Sequence, residues 1–248
     1  DASQFAVPMA DQGQTSLRLT ETGVANQRVI SDAQWLTNVQ TVQQANGLPQ
    51  SAALEVAKLA DGTDVGNFPN FTVEMETGTG KTYVYLRTVH ELSRTFGFKK
   101  FVIVVPSVAI REGVLKSLQI TREHFQTLYD FERVEFTVYD SGRVHQLRNF
   151  ALGSCIQILV INIDAFAKDS QEATDDTHPA ERRRSRSRGN VINQVRETGI
   201  RPIEFIQASH PIVILDEPQN LESDLRKQAI ARLNPLCTLR YSATHPNP

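Results

Sequence analysis

The sequence has few of the residue types that mark metal-binding or disulfide-stabilised proteins. Its 248 residues include two cysteines and six histidines. Cys155 and Cys237 both lie beside predicted strands, and neither they nor the scattered histidines show the spacing of a metal site. We therefore expect buried, reduced thiols, which are typical of a cytoplasmic protein.

Long apolar segments are absent as well. The chain contains no run of eighteen apolar residues and no leader in which basic, apolar and small residues follow one another. These absences argue against membrane insertion and against secretion.

An excess of positive charge is also missing. Lysine and arginine total 26 against 28 aspartates and glutamates, so the formal net charge is -2. This balance excludes a globally basic nucleic-acid-binding protein but leaves room for a local basic groove. The composition, with 40% hydrophobic and 22% charged residues, is that of an ordinary globular protein with one large α/β domain or two small ones. Because the first residue is Asp1, we expect a piece of a longer protein.

The first sixty residues divide into two parts. Residues 1–30 are rich in Gln, Ser, Thr and Gly and predict a loosely held N-terminal extension. Residues 31–60 show helical spacing that is interrupted at residues 47–49, Gly-Leu-Pro. The apolar positions of the two predicted helices are Trp35, Val39 and Val42, and then Leu54, Val56 and Leu59.

The stretch METGTGKT, residues 75–82, lies between a predicted strand and a predicted helix. Residues 71–73, Phe-Thr-Val, are β-branched and aromatic, as expected of a buried strand. Strand, glycine-bearing turn and helix together form the context of a phosphate-binding loop. The helix is indicated by apolar residues at spacings of four, three and four, namely Tyr85, Val89, Leu92 and Phe96.

This loop has the chemistry of an ATP site. Gly78 and Gly80 can adopt backbone angles closed to other residues, so that successive amides point at a polyphosphate. Lys81 would reach the β- and γ-phosphates, and the Thr82 hydroxyl would ligate Mg²⁺. The strict pattern G-x-x-x-x-G-K-[ST] asks for glycine where this chain has Met75. The alternative interpretation is a glycine turn at the start of a helix with a lysine nearby.

Strands and helices alternate along the rest of the chain, which predicts an α/β fold: a mostly parallel sheet with helices on both faces. In such sheets the ligand lies at the carboxyl ends of the strands. Four segments follow predicted strands and should meet at one edge: the phosphate loop, Pro106 with Ser107, Asp216 with Glu217, and residues 242–244. The later strands are predicted at residues 101–105, 136–139, 156–163, 212–215 and 238–241, with helices near 110–118, 202–208 and 221–233.

Residues 168–190 have an unusual composition and predict a surface insertion. Glu172, Asp175 and Asp176 make its first half acidic, and residues 182–188, RRRSRSR, make its second half basic. Two interpretations stay open. The basic run is either an arm that neutralises DNA phosphates or part of a solvated loop whose two halves offset each other.

Asp216 and Glu217 directly follow the apolar run Ile-Val-Ile-Leu of a predicted strand. Mg²⁺ is commonly held by one or two protein oxygens, and Asp216 is placed to supply one, directly or through water. Glu217 would orient and deprotonate the water that attacks the γ-phosphate. The simpler interpretation, the polar start of a turn, is weakened by the phosphate loop upstream.

Several blocks of this sequence resemble motifs I, Ia, II and III of superfamily 2 helicases, in order and roughly in spacing. They are METGTGKT (75–82), VPSVAIREG (105–113), DEPQ (216–219) and SATH (242–245). The similarity is strongest with the Res subunit of type III restriction enzymes, and it runs from about residue 35 to the end. The further blocks that carry it are INIDAF (161–166), PIEFIQA (202–208) and LNPLCTLRYSAT (233–244). The resemblance implies a P-loop NTPase domain of the RecA-like type over residues 31–248.

The resemblance also implies roles for individual residues at the ATP site. Asp216 and Glu217 would carry metal binding and water activation, and Gln219 would sense the γ-phosphate. ATP and Mg²⁺ would be bound by Thr77, Gly78, Thr79, Gly80, Lys81 and Thr82.

Contacts with double-stranded DNA are implied for a second group of residues. Pro106, Ser107 and Arg111 would face the DNA backbone, although Arg111 is equally well interpreted as a solvent-facing helix residue. Ser242 and Thr244 would couple the ATP state to DNA binding.

A complete member of this family would continue into a second RecA-like domain that supplies an arginine finger, and into an endonuclease domain. Because the sequence stops at Pro248, we expect both to be absent here and ATP to be bound better than it is hydrolysed. The implied function is a motor domain that couples ATP hydrolysis to movement along DNA, in complex with a methyltransferase subunit. The alternative is a truncated or stand-alone nucleotide-binding module without translocation or cleavage activity. A small-molecule kinase is disfavoured because the SAT block has no obvious role there.

Overall fold

A computed structural model of the chain describes residues 24–76, 78–167, 190–196 and 199–242. The remaining residues include Thr77, Thr244 and the basic run 182–188, so the predictions made for them lie outside the described residues. The same is true of the first 23 residues of the predicted extension and of the predicted insertion up to residue 189.

The described residues alternate between helices and strands, as predicted. The α-helices are α1 Asp32–Ala45, α2 Lys81–Phe96, α3 Val108–Leu128, α4 Gln146–Leu152, α5 Pro202–Ala208 and α6 Asp224–Arg232. The strands are β1 Ala57–Lys58, β2 Asp64–Val65, β3 Asn70–Glu74, β4 Lys100–Val105, β5 Val134–Val138, β6 Ile156–Asn162, β7 Ile212–Asp216 and β8 Cys237–Ser242. No helix among these residues is both long and apolar enough to cross a lipid bilayer.

Six of the strands form one sheet, in the order β3-β8-β7-β4-β6-β5, and every neighbouring pair is parallel. The prediction of a parallel α/β sheet is therefore confirmed. β4 and β7 are buried at every position, which explains the apolar runs at residues 101–105 and 212–215. One apolar core, which includes Leu147, Ile206 and Ala229, packs α4, α5 and α6 on one face of the sheet. The other core, which includes Val89 and Val114, packs α2 and α3 on the opposite face.

Three details differ from the sequence predictions. Residues 54–59 are not helical. β1, which lies within them, pairs with β2 in an antiparallel hairpin, and Gly62 adopts the left-handed conformation in the turn between the two strands (φ 85°). Phe96 does not continue the buried stripe of α2 but is 66% exposed at the end of the helix. Cys237 is buried, as predicted, whereas Cys155 is only half-buried; both are free thiols.

Asn26 ties the described part of the predicted extension to the amino end of the sheet. Its side-chain oxygen accepts hydrogen bonds from the amides of Lys99 and Lys100, and its amide group donates to the Lys100 carbonyl at 2.7 Å. The register pairs Phe101 with Ile212, the first residue of β7, so Lys100 lies one position before that ladder begins. Asn26 therefore takes the place of a strand partner at this position.

Replacing Asn26 with alanine should destabilise the fold by about 2 kcal/mol, because it leaves buried backbone groups of β4 without hydrogen bonds. Urea denaturation measures this free energy of unfolding. The neighbouring Gln27→Ala, at a less buried position, serves as the control and should change it by less than about 0.5 kcal/mol. Equal effects of the two substitutions would contradict the role given to Asn26.

Candidate active site

The carboxyl ends of four strands lie side by side at one edge of the sheet. The register pairs Glu74 at the end of β3 with Ser242 at the end of β8, and Asp216 at the end of β7 with Tyr241. Just beyond β3, the Met75 amide donates to the Ser242 carbonyl at 3.0 Å. The phosphate loop, Pro106 with Ser107, and Asp216 with Glu217 thus begin at the same edge, as does Ser242. Thr244 lies outside the described residues.

The glycine turn has the backbone that the sequence predicted. Gly78 and Gly80 are both left-handed, with φ of 81° and 89°, a conformation that strains other residues. A Cβ added to either would meet no atom of the described residues within 4 Å, apart from its neighbours in the chain, so these residues leave the space beside the turn open. Gly80 is the N-cap of α2, and no side chain caps this helix end. The first amides of α2 therefore remain available to an external anion.

Met75 stands where the strict loop pattern has glycine, and its side chain packs against the apolar core beneath α2 and α3. The residue that departs from the pattern, Met75, thus faces the protein core and not the space beside the glycine turn. Gly80 and the lysine and threonine that follow it are in the expected strand–turn–helix context.

Lys81 and Glu217 form an ion pair across the site, although 136 residues separate them in sequence. The Lys81 Nζ lies 2.7 Å from the Glu217 Oε1, and the two side chains are 9% and 25% exposed. Gln219 donates to the other carboxylate oxygen. These hydrogen bonds, that of Lys81 above all, hold the pKa of Glu217 below its ordinary value.

Glu217 itself has a left-handed backbone, with φ 56° and ψ 58°. For a residue other than glycine this conformation costs about 1 kcal/mol. It ends β7 abruptly and is followed by the 3₁₀ turn Pro218–Leu221. Strain of this kind persists where the surrounding structure holds it, often at functional sites.

The environment of Asp216 shifts its pKa in the direction opposite to that of Glu217. Its side chain is buried, and burial together with the negative charge of Glu217 raises the pKa of Asp216. The Tyr85 hydroxyl donates to the Asp216 Oδ2 at 3.4 Å. The pKa values of two adjacent carboxylates are thus shifted in opposite directions, which is a common way of giving neighbouring acids different roles.

The oxygen donors at this edge fit a magnesium ion. Thr82 follows Lys81 in the first turn of α2, and Asp216 ends β7 with a carboxylate that Lys81 does not pair directly. A hydroxyl and a carboxylate are hard oxygen ligands, and Mg²⁺ is often held by one or two such groups plus water. The predicted ligand pair therefore has suitable chemistry and lies at one place.

The predicted DNA-facing residues lie on the neighbouring part of the same edge. The Ser107 side chain caps α3 by accepting a hydrogen bond from the Ile110 amide at 3.3 Å. Arg111, one turn further along, pairs with Glu112 at 3.0 Å. It also lines a cavity of about 560 Å³ together with residues that follow β5, among them Tyr139 and Arg143.

Two residues near these sites are not among the predicted site residues. The sequence pattern predicts only packing for Tyr85, but Tyr85 lies three residues after Thr82 on the same helix face, which is a signal that it points at the same edge. Arg143 lies in the loop after β5, and its signal is a basic side chain just past the carboxyl end of a parallel strand.

The parallel sheet and the cluster of glycine turn, lysine and paired acids define an α/β domain of the RecA-like P-loop type. The family is narrower still. A family model described as ResIII, type III restriction enzyme, res subunit, matches residues 33–247, and the chain therefore belongs to this family. The resemblance seen in the sequence is confirmed.

Curated relatives agree with this assignment. The chain is 34% identical over 197 residues to the Res subunit of the type III restriction-modification enzyme StyLTI of Salmonella typhimurium, covering 72% of this chain and 18% of that protein. It is 30% identical over 233 residues to the EcoP15I Res subunit of Escherichia coli, covering 87% of this chain and 21% of the relative. The EcoPI Res subunit of Escherichia phage P1 is 27% identical over 233 residues. The chain thus spans about a fifth of the length of these relatives.

Proposed function

We propose that this chain is the first motor domain of a type III Res subunit, which binds and hydrolyses ATP with Mg²⁺ and couples hydrolysis to movement along double-stranded DNA. A second RecA-like domain of the same polypeptide would complete its catalytic site, and a methyltransferase subunit would be its partner. The proposal is supported by one observation above the others. Lys81, which follows the glycine turn, and the Asp216–Glu217 pair occupy one site, as a shared triphosphate requires.

The residues of the site have separate tasks in this proposal. Backbone amides from Gly78 to Thr82 surround the phosphates, and Lys81 leaves Glu217 to contact the β- and γ-phosphates. Mg²⁺, when bound to Thr82 and Asp216, would neutralise charge on the phosphate oxygens. Glu217, once released by Lys81, accepts a proton from the attacking water, while Gln219 remains next to it to report the γ-phosphate.

Calorimetric titration with ATP and Mg²⁺ tests the nucleotide part of this proposal. Saturable binding of one nucleotide per chain is expected. The absence of heat at millimolar ATP, with a non-hydrolysable analogue giving the same result, would contradict it.

DNA contacts are assigned to Pro106, Ser107 and Arg111, with Ser242 and Thr244 linking them to the nucleotide. The support is their location: Ser107 begins α3 at the carboxyl end of β4, and Arg111 lies one turn further along the same helix. A helix start and a basic side chain both suit phosphate oxygens. Ser242 lies next to the phosphate loop through the hydrogen bond from the Met75 amide.

Arg111→Ala should weaken binding to duplex DNA several-fold for every sequence tested and lower the slope of log K against log salt by about 1. The reason is the loss of one phosphate contact and of the counterion that it displaces. Fluorescence anisotropy of a labelled duplex across a range of KCl concentrations measures both quantities. Wild-type binding should itself be weak and fall steeply with salt.

Arg133→Ala is a matched control. Arg133 directly precedes β5 at the amino edge of the sheet, its side chain is 77% exposed, and it pairs with Glu135. This change should leave the salt slope unchanged. An equal loss in both variants would indicate a general charge effect, and a tight, salt-independent complex would contradict the proposed groove. Intact ATP binding without any DNA binding would favour a nucleotide-binding module.

A further inference from the structure

Tyr85 stands between the two proposed magnesium ligands. It lies on α2 one turn after Thr82, and it is completely buried. Its hydroxyl donates to the Asp216 Oδ2 at 3.4 Å, which is long for an O–H···O hydrogen bond but has no competing solvent. Burial above all, and then the charge of Asp216, raise the pKa of Tyr85, and the nearby Thr82 side chain opposes this effect.

The ring of Tyr85 is held in place by a second tyrosine. Tyr241 on β8 packs edge-on against it, with ring centroids 5.5 Å apart and an interplanar angle of 61°. The Tyr241 hydroxyl donates to the Thr88 Oγ1 at 3.1 Å, on the same helix as Tyr85. The Tyr241 ring on β8, which Tyr241→Phe would keep, therefore fixes the position from which the Tyr85 hydroxyl reaches Asp216.

Packing alone does not require a hydroxyl at this position. A phenylalanine would fill the same apolar space, whereas a buried phenol needs a polar partner. The hydrogen-bond partner of the Tyr85 hydroxyl is Asp216, which ends strand β7. Groups that hydrogen-bond to metal ligands orient them, and their removal commonly lowers metal affinity 10-fold to 100-fold.

We propose that Tyr85 is a positioning residue that orients the Asp216 carboxylate for a divalent cation bound with the nucleotide. This inference rests on the proposed ATP function. A donor to one oxygen of Asp216 restricts rotation of the carboxylate. Tyr85 touches neither nucleotide nor reacting atoms in this scheme, and it acts through Asp216.

The test compares Tyr85→Phe with Tyr241→Phe, each of which removes one hydroxyl from the same edge-to-face pair of rings. The affinity of a fluorescent ADP analogue is measured in EDTA and again in Mg²⁺, and the ratio gives the contribution of the cation without any turnover. Tyr85→Phe should leave the affinity in EDTA unchanged and reduce the Mg²⁺-dependent gain about tenfold. Tyr241→Phe should preserve that gain. Direct titration with Mn²⁺, followed by electron paramagnetic resonance, should show the same difference.

Each other outcome has a definite meaning. A full Mg²⁺ gain in Tyr85→Phe, or an equal loss in both variants, would overturn the assignment. Thermal unfolding is measured in parallel, and a loss of folding confined to Tyr85→Phe would assign the hydroxyl to stability and also overturn it. If the wild-type chain binds no nucleotide, the proposed function fails first. If the wild-type chain binds nucleotide and Tyr85→Phe shows the same Mg²⁺-dependent gain, only the role of Tyr85 is contradicted.

Discussion

Replacing Lys81 with alanine is expected to weaken ATP binding at least about 100-fold. The wild-type ammonium group is nearly buried and lies at the start of α2, beside the open glycine turn. Charge-assisted hydrogen bonds of this kind contribute about 1.5–3 kcal/mol each, and Lys81 would make them to two phosphates. About 2.7 kcal/mol corresponds to a factor of 100 in affinity. Calorimetric titration with ATP and Mg²⁺ measures the change.

The effect must be separated from loss of the ion pair with Glu217. Lys99→Ala supplies that comparison, because Lys99 also forms a partly buried ion pair, with Glu132 at 2.6 Å, at the amino end of β4. This variant loses a similar structural interaction and should bind ATP like the wild type. Unchanged ATP affinity in Lys81→Ala would remove the phosphate-loop assignment. A similar loss in both variants would show that folding, not phosphate recognition, had been measured.

The central strands were predictable because burial on both faces of the sheet requires a distinctive apolar sequence. A parallel strand covered on both faces has a nearly continuous apolar sequence, as residues 101–105 of β4 and 212–215 of β7 do. β3, β5 and β8 have partly buried positions, so the same argument is weaker for them, and it does not give the order of the six strands. That order depends on contacts between residues far apart in the chain.

Residues 54–59, for which the spacing wrongly predicts a helix, show where the spacing of apolar residues fails to predict secondary structure. Leu54, Val56 and Leu59 are too few to distinguish a helix from a short hairpin. The deciding signal was Asp61-Gly62, a turn pair that favours a two-stranded hairpin, and the left-handed Gly62 occupies that turn. Helix α4 was missed for a related reason, since its seven residues contain hardly two turns of periodicity.

Sequence motifs predicted that the candidate residues share one edge of the sheet, but not the interactions among them. That Lys81 lies near Asp216 and Glu217 follows from strand ends in a parallel sheet. The state of Glu217 does not follow, because its conformation depends on a left-handed backbone and on hydrogen bonds from Lys81 and Gln219. Tyr85 shows the same limit. Its ring accounts for its place in the apolar stripe of α2, so the spacing gives no sign that its hydroxyl has a polar partner.

In the proposed function, these interactions would give Glu217 two roles in succession. In this structure both of its oxygens accept hydrogen bonds, from Lys81 and from Gln219, and its lowered pKa keeps it ionised. A carboxylate held in this way is a poor base. Bound phosphates would attract Lys81, and one oxygen of Glu217 would then lose its partner and become free to accept a proton from water.

Glu217→Gln is therefore expected to abolish most hydrolysis while ATP binding persists. An amide cannot accept the proton from water, and general-base catalysis commonly contributes 100-fold or more, so phosphate release should fall at least about 100-fold. ATP affinity should be equal or a few-fold tighter, because Lys81 no longer leaves an ionised partner to reach the phosphates. Single-turnover release of labelled phosphate, alongside calorimetry with the same samples, measures the two quantities separately.

Glu222→Gln distinguishes this outcome from a general loss of negative charge. Glu222 lies five residues further along and pairs with Lys227 at 3.3 Å and with Arg240, away from Lys81. It should change neither binding nor hydrolysis. Loss of ATP binding in Glu217→Gln would mean that the carboxylate supports the nucleotide and does not activate water. Hydrolysis at the wild-type rate would transfer the role of base to another group, and Asp216, buried and with its pKa raised, would then be the residue to replace next.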